Sequence, residues 1–75
     1  MRTIIQYKSW VNKGSKRFKS DNNFVEGIIL SESSNTITVR GDIQEKDTGT
    51  NYRGLAIRIR KENIVSRRDY QWRDY

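Results

Sequence analysis

From Thr3 to Val11, Ile5, Tyr7 and Val11 fall on one side of an extended chain and Ile4, Lys8 and Trp10 on the other, a two-residue period that predicts a strand. The pattern lapses from Asn12 to Ser20, where Gly14 and the cations Lys13, Lys16, Arg17 and Lys19 surround Phe18 with no period that could bury a face. That stretch reads as a basic loop. A second strand is predicted over Asn23 to Leu30, with Phe24, Ile28 and Leu30 sharing a face with Glu26, and with Gly27 marking a bulge or sharp bend. The polar cluster Ser31 to Asn35 then turns the chain. Thr36 to Arg40 alternates cleanly, placing Ile37 and Val39 inward and Thr36, Thr38 and Arg40 outward, so the two segments should pair as a β-hairpin.

Gly41 to Asn51 is the acidic part of the chain, where Asp42, Glu45 and Asp47 outnumber Lys46, and it reads as a solvated loop. Tyr52 to Arg60 carries the strongest alternation, with Leu55, Ile57 and Ile59 as expected core residues and Ala56, Arg58 and Arg60 on the other face. Lys61, Glu62 and Asn63 break this period before a last short apolar piece, Ile64 and Val65. The tail from Ser66 to Tyr75 has two readings. Ser66 with Asp69 resembles a capping box, and Val65 with Tyr70 a hydrophobic staple, which favours a short helix. Arg67 and Arg68 at the positive end of that helix's dipole favour an extended tail.

Five short strands in 75 residues predict a mainly β domain, a small five-stranded barrel of the SH3-like or OB type spanning residues 1–65, followed by a basic and aromatic tail over 66–75. Composition agrees: Ile, Val and Thr number 18 against four for Ala, Leu and Met, and β-branched side chains pack better on a pleated sheet than on a helix. Only 17 residues are Ile, Leu, Val or Phe, so the core must be thin.

Charge and missing residue types narrow the chemistry. Fifteen Lys and Arg against nine Asp and Glu leave a net charge of +6, which favours polyanionic partners: nucleic acid or, alternatively, an acidic protein surface. With neither His nor Cys, the usual neutral-pH base, the strongest nucleophile, disulfides and thiolate metal sites are all missing, so neither an enzyme nor a cofactor nor a metal is expected. Asp47-Thr48-Gly49-Thr50 matches the short signature of aspartic proteases, but a flexible acidic loop with a Gly turn explains it. Asp42, Glu45 and Asp47 lack the spacing of a calcium loop. The aliphatic runs are too short for a membrane span or signal-peptide core, so the expected setting is soluble and cytoplasmic.

Two sets of residues could meet a partner. Lys13, Lys16, Arg17, Phe18 and Lys19, with Arg40, Arg58 and Arg60, form the expected nucleic-acid surface: cations to hold phosphates and Phe18 or Trp10 to stack a base. Ordinary solvated decoration is the competing explanation. The tail residues Arg67, Arg68, Tyr70, Trp72, Arg73 and Tyr75 are the expected surface if the chain is instead a protein-binding adaptor or inhibitor, for example a phage or plasmid accessory factor docking on an acidic or nucleic-acid-binding protein.

Overall fold

The β-branched segments all become strands, longer than their apolar patterns. The computed structural model describes residues 1–71: β1 (Arg2–Lys13), β2 (Lys16–Glu32), β3 (Thr36–Glu45), β4 (Thr50–Arg60), a 3-10 turn at Lys61–Asn63, and β5 (Ile64–Tyr70). They form one antiparallel sheet in the order β4-β3-β2-β1-β5. Among the described residues no β4–β5 ladder joins the two edges, so the sheet is open and the expected closed barrel does not form.

The core lies on one face, built from Ile5, Tyr7, Val25, Ile37, Val39, Ile43 and Ile59, with Ile29, Ile57 and Ile64 packed against it. The faces expected for β1 and β3 are correct. Those of β2 are reversed, since Val25 is fully buried while Ile28 and Leu30 are about half exposed. Leu30 is the extra residue of a bulge between Ile29↔Val39 and Ser31↔Thr38, and bulges leave their extra residue unpaired. Val65 is squeezed out in the same way, between Gln6↔Ser66 and Tyr7↔Ile64. Leu55, expected in the core, is 45% exposed because its partner Gly41 offers no side chain to pack against.

Gly27 and Gly41 are opposite each other on the inner face. A Cβ on Gly27 would overlap the Arg40 carbonyl oxygen and sit 2.6 Å from Gly41 Cα, so β2 and β3 meet here in a contact that only two glycines permit. On β4, Arg53 and Gly54 oppose the single residue Asp42, and Gly54 takes a φ of 68° that makes this bulge possible.

Two segments expected to be loops are largely strand. Asn12 to Ser20 is a hairpin whose strands meet at Lys13↔Lys16, and the two-residue turn is possible because Gly14 adopts a φ of 63°. In the acidic stretch, β3 runs on to Glu45 and β4 starts at Thr50, leaving only Lys46 to Gly49 as the turn. The expected helical alternative for the tail is also overturned: Ser66 to Tyr70 belong to β5, paired with β1 from Gln6 back to Arg2. Backbone pairing on an open β1 edge satisfies more groups than a marginal helix could.

Candidate nucleic-acid interface

The ribbon formed by β1 and β2 outruns the rest of the sheet. β5 pairs with β1 only from Arg2 to Tyr7, and β3 pairs with β2 only from Asn23 onward, so Ser9–Lys13 and Lys16–Ser20 continue as a two-stranded arm. A bulge separates arm from body: Asp21 and Asn22 on β2 oppose the single residue Lys8 on β1. Buried polar side chains hold this bulge. Asn23 donates from Nδ2 to the carbonyls of Tyr7 and Ser20 at 3.2 and 2.8 Å, and Ser20 Oγ accepts the Asn22 amide at 3.0 Å.

Cross-strand partners share a face, so Trp10 with Lys19 and Asn12 with Arg17 line one side of the arm. Lys8 is in phase with them. Val11, Phe18, Lys13 and Lys16 occupy the other side. Trp10 is 58% exposed, and the Arg17 guanidinium carbon lies 5.0 Å from its ring centre, a cation–π contact across the arm.

Where the arm leaves the body, the sheet's curl brings the end of β4 toward β1. A cleft of about 410 Å³ lies between them. Lys8, Trp10 and Lys19 line one wall, and Arg58, Arg60 and the turn residues Glu62 and Asn63 line the other. Two patches far apart in sequence, the arm and the arginine-bearing strand, therefore share one concave site. A second cleft of similar volume, lined by Ser34, Asn35, Thr36 and Lys61, shares Arg60 and Glu62 with the first.

Of the residues expected to contact nucleic acid, Lys19, Arg58 and Arg60 come together, with Arg17 joined through Trp10. Lys13 and Lys16 pair at the far end of the arm on its opposite side, and Phe18 is half-buried across from Val11. Arg40 is exposed between Ile28 and Ala56, away from the cleft. Sequence reasoning missed Lys8, Glu62 and Asn63. Lys8 was legible from its phase with Trp10, whereas the turn residues carry no periodic signal.

The alternative protein-binding set is partly engaged within the fold. Arg67 makes a bidentate pair with Glu32 at 2.9 Å and also bonds Asp69 at 2.8 Å. Tyr70 donates to Glu26 at 2.7 Å and accepts from Arg2 at 3.3 Å. Arg68 is exposed, and Trp72, Arg73 and Tyr75 lie outside the described residues. Lys61 adds a 2.6 Å contact to Glu32, so one carboxylate ties the end of β2 to the 3-10 turn and to β5. Hydrogen bonds from Arg67 and Lys61 pull the Glu32 carboxyl down to about 2, and Arg67 and then Thr3 lower that of Asp69.

Asp47 sits in the β3–β4 turn, where it accepts hydrogen bonds from Ser20 and Asn22, which lower its pKa. It is tied to the base of the arm rather than facing a second carboxylate. Among the described residues no group of three or more His, Cys, Asp or Glu is placed to hold a metal ion, and no helix is long and apolar enough to cross a membrane. No protein-family model, curated protein or solved structure matches the chain.

Proposed function

We propose that this protein is a non-enzymatic nucleic-acid-binding module whose contact surface is the cleft between the β1–β2 arm and the end of β4. The observation that carries the reading is convergence: Lys8, Lys19, Arg58 and Arg60 border one concave site that also presents an exposed Trp10. Cations flanking a stackable ring are what single-stranded nucleic acid requires, phosphates meeting charge and a base meeting the π face. The arginines stand on strand β4, which fixes their spacing better than a loop would.

The strand order supports an SH3-like rather than an OB-type relationship, as an open variant. β1 to β4 follow one another as a simple meander and a 3-10 turn leads into β5, whereas an OB barrel is built on a Greek key. The protein-docking alternative has less support, since Arg67 and Tyr70 already bond Glu32, Asp69 and Glu26.

Fluorescence anisotropy with labelled single-stranded oligonucleotides tests the reading. Four phosphate contacts give a salt slope of about −2.8, so affinity should fall about fifty-fold between 50 and 200 mM salt. Changing Arg58 and Arg60 together to Gln should halve that slope to about −1.4, and Trp10→Ala should weaken binding while leaving the slope unchanged. No binding at 50 mM salt by the folded protein sinks the proposal.

A further inference from the structure

The two clefts meet at the same two side chains, Arg60 and Glu62, and among the described residues Glu62 is the one carboxylate lining either of them. It stands in a surface otherwise set up to attract phosphate. Its link to Arg60 is long, 3.7 Å, with both side chains about three-quarters exposed, so the pair is weak and leaves the carboxylate oxygens able to accept other donors. A carboxylate repels a phosphate at this point of the groove. What it can accept is a base edge rich in N–H donors.

Building on the nucleic-acid reading above, we infer that Glu62 makes the groove selective for single strands carrying guanine. On its Watson–Crick edge, guanine presents two adjacent donors, N1–H and the N2 amino group, which match the two oxygens of a carboxylate as a bidentate pair. Adenine and cytosine each place a ring acceptor beside the amino donor. Thymine and uracil place their single N–H between two carbonyl oxygens, which a carboxylate repels. In a duplex the Watson–Crick edge is occupied by the complementary base, so only a single strand offers it. The neighbouring groups suit this arrangement: Trp10 provides a stacking face in the first cleft, and Ser34, Asn35 and Thr36 provide neutral polar groups in the second. Phosphates are then held by Lys8, Lys19, Arg58 and Arg60, the cations that border the first cleft.

The test uses labelled oligothymidylates in which one central thymine is replaced by guanine, adenine, cytosine or hypoxanthine, which lacks only the N2 amino group of guanine. Affinities are measured by anisotropy at fixed salt for the whole chain and for Glu62→Gln. The guanine strand should bind about tenfold tighter than the others, the low end of what charge-assisted hydrogen bonds contribute. Hypoxanthine should lose most of that advantage, and annealing the guanine strand to its complement should abolish it. Glu62→Gln should level the affinities while leaving the salt slope within error, and circular dichroism should show it folded. Binding without preference among the bases, or a guanine preference that survives in Glu62→Gln, overturns this inference while leaving the nucleic-acid reading intact. Failure of every oligonucleotide to bind overturns both.

Discussion

Replacing Gly27 by alanine adds one methyl group at the tightest point of the sheet. That carbon would overlap the Arg40 carbonyl oxygen and approach Gly41 Cα to 2.6 Å, where carbon atoms normally keep about 3.5–4.0 Å apart. β2 and β3 must therefore separate locally by about 1 Å, which costs about 1–3 kcal/mol as overpacking and about 1 kcal/mol more for each ladder hydrogen bond that is lost. Reduced freedom of the unfolded chain offsets only about 0.4–1 kcal/mol. The net loss is about 2–3 kcal/mol, against a total stability of about 4–11 kcal/mol for a chain this long.

Urea unfolding followed by circular dichroism should register this as a midpoint lowered by about 1.5–2 M at constant slope. Gly14 supplies the control, because an added Cβ there meets nothing within 4 Å and the obstacle is instead its φ of 63°. Asparagine tolerates that region better than alanine, so at Gly14 Asn should be the milder change, whereas at Gly27 the smaller Ala should be. A Gly27→Ala midpoint equal to that of the unmodified chain, or the same ranking of Ala and Asn at both sites, refutes the close-contact explanation.

Ile59→Ala should cost about 2–5 kcal/mol because Ile59 is only 4% exposed, while Leu55→Ala, at 45% exposure, should cost about 1 kcal/mol or less; equal urea midpoints for the two variants would contradict the packing. Acid should weaken the fold through Glu32: its carboxyl is held at about 2 in the folded chain against 4.5 ordinarily, so its stabilising effect is complete above about 4.5 and is lost as pH falls toward 2. Asp69 and Asp47, also lowered, act in the same direction. Melting temperatures recorded from pH 6 to pH 2 should fall, and the fall should be shallower in Glu32→Gln; parallel curves would exclude Glu32 as a contributor.

The sequence was most readable where one face of a strand is buried and the other is wet, as in β1, β3 and the end of β4. β2 misled because two apolar sets alternate along it: Phe24, Ile28 and Leu30 against Val25 and Ile29. The larger set lies outward because the inner register is crowded by the Gly27–Gly41 contact and because Leu30 is displaced by a bulge. Neither feature is local in sequence. The arm was hidden for a different reason: a two-stranded ribbon beyond the sheet has little core to face, so its strands are polar and resemble a loop. Of the candidate site, the individual cations and Trp10 were legible, but their convergence depends on the curl of the sheet, and the contribution of Glu62 depends on where the 3-10 turn lands. The tail's capping pattern was genuine at the level of residues, yet β1 offered a whole unpaired edge, and Ser66 to Tyr70 paired with it.

The position of β1 between β2 and β5 has a kinetic consequence. Among the described residues every other ladder joins neighbours in the chain, so β1 to β4 can assemble hairpin by hairpin with short loops to close. The β1–β5 ladder alone must bridge most of the sequence, with Tyr70 brought back to Arg2 across 68 positions. Until that closure is made, β1 exposes unpaired amides and carbonyls beside a half-covered apolar face, the kind of edge on which chains join one another. Docking of β5 is therefore the step at which folding and self-association compete, and the outcome should depend on how concentrated the chains are while they fold.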